Sequence, residues 1–360
     1  MRPRPTDPGR SVVATTLVVG ACPTDEPGEV DVRSGVLGMT TLVPRPSDAD
    51  SPRPVRTPAD SVVRVVSAKV GLRTRFSDIW RYRELLAGLT RKELKVKYKN
   101  SVLGFLWSML NPATSILVFY FVFQVVLKNG IPGFAVFLIS GILCWNLFQN
   151  ALPSACVSVV GNAAIVKKVS FPKEILALAS VGAALIHMGL QTIVLIFFLG
   201  IFRWGPAVAY LPLLVPALLA LLVLTAAIGI FLAAMNVRMR DMQHLLEVGL
   251  QVWFWATPIV YGFMTIQAKV AVSKSVVYQA LWVAYRLNPV TPIVMTFQRA
   301  IYARPSPRGA NGVRVPILPE HVNQWWYLWQ DLLVLAVGIV LLALAMMLFS
   351  RLEGNFAEEL

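Results

Sequence analysis

Charge is scarce in this chain of 360 residues, of which only 14% are charged and 56% are hydrophobic. A typical soluble domain has about 25% charged and about 45–50% apolar residues. The mean hydropathy is +0.63. A soluble globule of this size cannot bury so much apolar surface, because its exterior must still be hydrated. The composition therefore argues against a soluble enzyme and indicates a polytopic membrane protein.

Several kinds of chemical site are missing as well. The sequence contains no Gly-Lys pair, which excludes a P-loop ATPase site in this chain. Its three cysteines form no disulfide framework, and its three histidines are too far apart in sequence for a metal cluster. We therefore expect no catalytic residue, no metal and no cofactor bound by the chain itself.

Charges are absent from long stretches of the chain, each of at least 19 residues. A helix needs about 20 apolar residues to cross the hydrocarbon core of a bilayer. We predict an all-α protein with six transmembrane helices, near 102–127, 134–157, 175–200, 211–234, 245–263 and 328–350. No confident acid or base lies in these spans, which argues against proton- or sodium-driven transport.

The basic residues indicate the orientation. The chain has 33 Lys and Arg against 19 acids, a net charge of +14. Residues 61–99 alone hold eleven basic residues and three acids, which predicts that both termini are cytoplasmic. The loop 264–327 carries seven basic residues outside, but long loops translocate largely regardless of charge. In a membrane protein this excess does not indicate a nucleic-acid partner.

The last external loop is not entirely aqueous. Two uncharged apolar runs, 275–285 and 287–298, are too short to span and predict re-entrant or interfacial helices. Asn288 and Pro289 suit a tight turn between them. The segment 304–320, rich in Pro and Gly, is predicted to be an exposed loop.

The amino-terminal region divides in two. Residues 1–60 contain ten prolines and predict a disordered cytoplasmic tail, with Met39 as an alternative start. Residues 61–100 predict a basic amphipathic interface segment beside the six-helix domain 101–360. Within it, Ser77 suits a helix cap, and Thr90-Arg91-Lys92-Glu93 predicts that a second helix begins at Thr90.

The basic face of this segment has two interpretations. Arg91, Lys92 and Lys95 either serve only to set topology, or they form a docking surface for a partner protein or an anionic lipid headgroup.

Five sequence motifs lie in the predicted cytoplasmic and membrane-proximal segments. In chain order they are Tyr98–Trp107, Ile165–Leu176, Asn236–Asp241, Trp253–Tyr261 and the closing Phe356–Leu360. Together, over roughly residues 75–360, they resemble the membrane permeases of type-2 ABC transporters that export O-antigen polysaccharides, teichoic acids or mycobacterial galactan.

The resemblance implies a homodimer in the plasma or inner membrane, associated with two copies of a separate ATPase subunit that binds ATP and Mg. The loop 161–174 resembles the family's coupling helix. Phe171 offers an apolar knob and Pro172 suits the first position of the next helix. The residues expected to couple to the ATPase are Ile165, Lys167, Lys168, Phe171, Pro172 and Lys173.

The implied substrate is a glycan on a lipid with an anionic headgroup. Arg91, Lys92 and Lys95 are expected to attract that headgroup. An alternative cluster is Arg238, Arg240 and Asp241, which otherwise form a structural Arg–Asp pair. Aromatic side chains suit a sugar conduit but also pack helices. We select as lining residues three with polar tips: Tyr120, Trp253 and Tyr261.

Three other functions compete with polymer export. A type-2 ABC permease for a small drug or lipid shares the six-helix layout, although the loop motifs favour polymer exporters. A membrane glycosyltransferase is disfavoured because the external loops lack the acids it needs. A non-transporting scaffold would use only the basic face.

Overall fold

The computed structural model describes residues 72–99, 106–128, 130–201, 203–272, 275–307, 317–319 and 322–359. All regular elements in these ranges are helical. The predicted tail 1–60 and most of the segment 304–320 lie outside them. The α-helices are α1 Leu72–Arg81, α2 Arg83–Tyr98, α3 Leu106–Phe119, α4 Phe134–Gly161, α5 Ala163–Val166, α6 Glu174–Ile201, α7 Leu214–Arg238, α8 Met242–Trp255, α9 Phe263–Val272, α10 Val276–Leu287, α11 Val290–Ile301, α12 Gln324–Leu352 and α13 Phe356–Glu359.

Four helices in the described ranges are long and apolar enough to cross a membrane. They are Phe134–Gly161, Glu174–Gly200, Val208–Arg238 and Gln324–Leu352. The third includes a 3₁₀ segment, Val208–Leu213, that leads directly into α7. These four helices match the second, third, fourth and sixth predicted spans.

The first predicted span corresponds to α3 and the π-helical segment Tyr120–Val126 that follows it. The fifth differs more from the prediction. Helix α8 ends at Trp255, after 14 residues, which is about 21 Å of helix. An irregular stretch containing Pro258 and Gly262 then leads into α9. Proline disfavours helix in the residue before it and cannot donate a backbone hydrogen bond, so 245–263 is not one continuous helix.

Helix α4 lies at the centre of the fold. It packs against α6, α7 and α11, while α12 packs along α7. The most apolar stretch of α4 is 72% buried, against 28% for α12. Helix α12 therefore leaves much of its apolar surface for lipid or another chain.

The predicted turn between the two short apolar runs is present, between α10 and α11. The Asn288 side chain closes it by accepting a hydrogen bond from the Val290 backbone N–H at 3.0 Å. Its amide Nδ2 also donates to the Ala256 carbonyl at 3.0 Å and to Thr257 Oγ1 at 2.9 Å. Asn288 thus fastens the α10–α11 turn to the end of α8.

The amino-terminal helices break at Tyr82 rather than at Thr90. Thr90 lies inside α2, where its hydroxyl donates to the Leu86 carbonyl at 2.8 Å and to the Ala179 carbonyl of α6 at 3.4 Å. The predicted capping box is therefore wrong. Thr90 is buried because α2 packs closely on α6, where a Cβ added at Gly182 would lie 3.0 Å from its hydroxyl.

Candidate functional site

The loop between α4 and α6 is fastened at two points and exposed between them. Val166 and Phe171 are buried in a cluster that includes Phe349 and Phe356 from the end of the chain. Between these two anchors, every residue from 167 to 170 is exposed. The loop is therefore held to the helical core at both ends and exposes its outer surface.

This arrangement corrects the role expected of Phe171. Its side chain is only 7% exposed, so it is an anchor to the chain's own core and not a knob available to a partner. The apolar groups on the outer surface are instead Ile165 and Val169, which are 37% and 52% exposed. Lys167 and Lys168 are exposed beside them.

Pro172 and Lys173 also differ from expectation. Helix α6 begins at Glu174, two residues after Pro172; the Pro172 carbonyl accepts a hydrogen bond from the Ile175 N–H at 3.1 Å. Lys173 Nζ lies 3.6 Å from Glu353 Oε1 and 5.7 Å from the ring centroid of Phe356. Lys173 therefore engages the carboxyl-terminal segment of its own chain.

Sequence reasoning missed the ion pairs beneath this loop. Arg75 of α1 pairs with Glu174, whose side chain is fully buried. The same guanidinium reaches Glu353 Oε2 at 3.4 Å. A buried carboxylate needs a charged or hydrogen-bonding partner, so Arg75 fixes the start of α6 against α1 and the end of α12. The sequence offered no signal for this pairing, because the partners are about 100 and 280 residues apart.

The predicted basic face is exposed on α2. Arg91, Lys92 and Lys95, together with Lys99, line an open concavity of about 840 Å³. Lys92 is not free, because its Nζ donates to Asn162 Oδ1 at 2.7 Å. That hydrogen bond joins α2 to the start of the α4–α6 loop.

The second basic loop is different. Arg238, Arg240 and Asp241 are all exposed between α7 and α8. Within the described residues, no ion pair joins either arginine to Asp241. The structural Arg–Asp pair considered above is therefore absent from this part of the molecule.

The three predicted lining residues are not brought together. Tyr120 is 42% exposed on the π-helical segment. Trp253 donates its indole N–H to Asn288 Oδ1 at 2.9 Å. The Tyr261 hydroxyl donates to the Trp255 carbonyl.

A cavity of about 470 Å³ lies instead between α3, α4 and α8. Its wall combines aromatic rings with amide, hydroxyl and carboxylate groups. Phe119 stacks on Phe254 with ring centroids 5.6 Å apart, and Trp145 meets Phe254 edge-on at 5.6 Å. The lining residues include Phe119, Trp145, Phe254, Trp255, Ser115, Asn146, Gln149, Glu247 and Gln251.

The polar residues of this wall carried a signal that aromatic content alone did not. Asn146 and Gln149 lie three apart in the predicted second span and share one face of α4. Amides among apolar residues at that spacing indicate a polar cavity. They would have favoured α4 as a further wall beside the first and fifth predicted spans, which hold the three selected lining residues.

One acid lies deep in the helical core. Asp331 of α12 is fully buried, and Thr296 Oγ1 of α11 donates to its Oδ2 at 2.9 Å. Since α12 is one of the four membrane-length helices, the expectation that the spans lack acids is wrong. Asp331 joins α11 to α12 through this hydrogen bond.

Comparison with known proteins places these features in a family. Residues 84–302, more than half of the chain, match the ABC-2 type transporter family. The chain belongs to that family. This confirms the resemblance carried by the loop motifs, and with the four membrane-length helices it establishes a multi-pass membrane protein of the transporter type.

Two relatives cover most of the chain. The O-antigen export system permease protein RfbA of Myxococcus xanthus is 31% identical over 284 residues, which are 79% of this chain and 98% of the relative. The protein of the same name from Klebsiella pneumoniae is 27% identical over 278 residues, 76% of this chain and 94% of the relative.

Proposed function

We propose that this ABC-2 family member is the permease subunit of an ATP-driven exporter that moves a lipid-linked polysaccharide, or a teichoic-acid-like polymer, out of the cytoplasm. The observation that carries the proposal is its similarity to O-antigen export permeases along almost their whole length. The cavity between α3, α4 and α8 supports it, because aromatic faces and amides suit the apolar and hydroxyl surfaces of sugars.

We propose six transmembrane segments with both termini cytoplasmic. The segment Leu106–Val126 supports the first of them, because its 14 and 7 residues make about 31 Å of continuous helix. Helix α8 and the irregular stretch after it supply the fifth. The density of Lys and Arg in residues 61–99 supports the orientation.

Two copies of a separate ATPase subunit bind the exposed part of the α4–α6 loop in this proposal. Ile165, Lys167 and Lys168 form the contact surface, joined by Val169. Phe171, Pro172 and Lys173 hold that surface to the body of the permease. A homodimer completes the assembly, and the exposed apolar surfaces of α3 and α8 are available for the second copy or for lipid.

The substrate would approach the basic face of α2. Arg91, Lys92 and Lys95 attract the phosphate-bearing headgroup, and Arg238 and Arg240 offer a second site of attraction. The glycan then follows the aromatic and amide wall. Tyr120 and Trp253 adjoin this wall in sequence, next to Phe119 and Phe254, and Tyr261 is fastened to Trp255. All three stay proposed contacts of the moving chain.

Depletion of the protein in its native host tests the function. We expect lipid-linked glycan to accumulate on the cytoplasmic side and surface glycan to fall, with both restored by the wild-type gene. Normal surface glycan together with altered drug or lipid efflux would replace polymer export by small-molecule export. Copurification of the cognate ATPase with the permease tests the partnership separately.

A further inference from the structure

A second polar cleft lies on the face of α4 next to the one that lines the cavity between α3, α4 and α8, called the aromatic cavity below. It has a volume of about 290 Å³ and is bounded by α2, α4 and α6. The cleft shares Leu94 and Val96 with the open concavity lined by Arg91, Lys92 and Lys95, but none of its charged residues. Its polar and charged lining comprises Glu93, Lys97, Asn150, Ser154, Ser180 and His187.

A chain of hydrogen bonds fixes how His187 faces this cleft. Asn146 Nδ2 donates to Gln191 Oε1 at 3.3 Å, and Gln191 Nε2 lies 3.2 Å from His187 Nδ1. An amide nitrogen can only donate, so His187 Nδ1 accepts, and in that tautomer the hydrogen is on Nε2. His187 is 6% exposed, and its Nε2 has no hydrogen-bond partner within the described residues. His187 lines the cleft, so its Nε2–H is available as a donor to a ligand there.

The cleft also contains one charge of each sign. Glu93 and Lys97 lie one turn apart on α2 and both line it. Neither forms an ion pair, with the other or with any residue in the described ranges. Lys97 lines the cleft and is exposed on the surface of α2, so its unpaired ammonium is available to an anionic ligand.

These charges distinguish the two sides of α2. The open concavity is lined by four basic side chains and no acid, whereas the cleft is lined by one basic side chain, Lys97, and one acid, Glu93. A di-anion would be attracted to the first and repelled by Glu93 in the second. A ligand that carries both a phosphate and an ammonium complements the cleft.

We propose that this cleft binds the headgroup of a zwitterionic phospholipid of the phosphoethanolamine type. Lys97 and the His187 Nε2–H bind the phosphate, and Glu93 accepts hydrogen bonds from the ammonium. Asn150, Ser154 and Ser180 supply further polar contacts. The acyl chains lie along the exposed apolar face of α6 next to His187, where Ile186, Ile193 and Phe197 are 43%, 64% and 66% exposed.

Lipid binding to the full-length chain, measured by native mass spectrometry in detergent, tests the assignment. We expect phosphatidylethanolamine to bind about tenfold more tightly than phosphatidylglycerol, the scale of one charge-assisted hydrogen bond. Glu93→Gln should abolish this preference. Without the carboxylate, the ammonium of phosphatidylethanolamine loses its ionic partner, and the net negative charge of phosphatidylglycerol is no longer repelled. Lys97→Gln should weaken binding of both lipids.

The matched controls are Glu84→Gln and Arg83→Gln, which make the same charge changes at the far end of α2 and should leave both affinities unchanged. Equal affinity for the two lipids in the wild type, or a preference that survives Glu93→Gln, would overturn the proposal. So would displacement of phosphatidylethanolamine by an equal concentration of an isoprenoid monophosphate, which would assign the cleft to an anionic carrier lipid. Because the readout is binding to the isolated chain, a negative result leaves the proposed export function untouched.

Discussion

The α4–α6 loop and the α7–α8 loop look alike in sequence and differ in how they are held. Both are short basic connections between long apolar helices. The first is anchored by Val166 and Phe171 and lies over the ion pairs of Arg75. In the second, Arg238, Arg240 and Asp241 are exposed and form no ion pair with one another. In the proposed assembly, a loop fixed to several helices is better suited to transmit a movement of the bound ATPase to the membrane domain than a loop without such contacts.

The largest effect is expected from Arg75→Gln. It leaves the buried Glu174 carboxylate without its cation, and breaking a buried pair in this way costs about 4 kcal/mol. The melting temperature of the purified chain should fall sharply. Arg81→Gln, at an exposed arginine of the same helix, is the matched control. An unchanged melting temperature for Arg75→Gln would mean that the loop is not held by this pair.

Phe171→Ala should be the next most damaging change. It removes a large side chain from the buried cluster with Val166 and Phe356, which costs about 3 kcal/mol. We expect the variant to insert in the membrane, to unfold at lower denaturant concentration and to export less polymer. Denaturant titration gives the stability; a variant as stable as the wild type would contradict the anchoring role.

Lys168→Glu separates binding from stability. The side chain is exposed, so the free energy of unfolding should change by less than about 0.5 kcal/mol, while export and ATPase copurification fall several-fold. Arg240→Glu makes the same charge change in the α7–α8 loop and should not reduce ATPase copurification. Equal losses of copurification from the two variants would erase the distinction between the loops.

The smallest effect is expected from the double change Arg238→Gln and Arg240→Gln. Both side chains are exposed, so stability should stay within about 0.5 kcal/mol of the wild type. Export should fall modestly if these arginines attract the substrate headgroup, with ATPase copurification unchanged. Export assays on membranes of defined anionic lipid content measure this; a loss of ATPase copurification would give the loop a coupling role after all.

The features that depend on local composition were predicted from the sequence. The charge-free stretches located the four membrane-length helices, and Asn288-Pro289 located the turn between α10 and α11. Tertiary packing decided the rest. Thr90 carries a capping-box signature, yet its hydroxyl bonds within α2 and to α6.

The candidate site divides in the same way. Lys167 and Lys168 are exposed, as basic side chains usually are, and their expected contact with the ATPase stays a prediction. Phe171 is buried in one cluster with Phe349 and Phe356, which come from a distant segment that no local pattern pairs with it. The predicted lining residues Tyr120 and Trp253 are next in sequence to Phe119 and Phe254 of the cavity wall, whereas the wall supplied by α4 was not predicted, because only tertiary packing brings it to the other two.

The Asn288 side chain links the end of α8 to the α10–α11 hairpin. Asn288 bonds to Trp253 and Ala256 at the end of α8 and to the backbone that opens α11. Helix α8 is also a wall of the aromatic cavity. A displacement of α8 that widened the cavity would therefore either carry the α10–α11 hairpin with it or break the hydrogen bonds of Asn288, which makes this one side chain a point of mechanical coupling between the helical core and the hairpin.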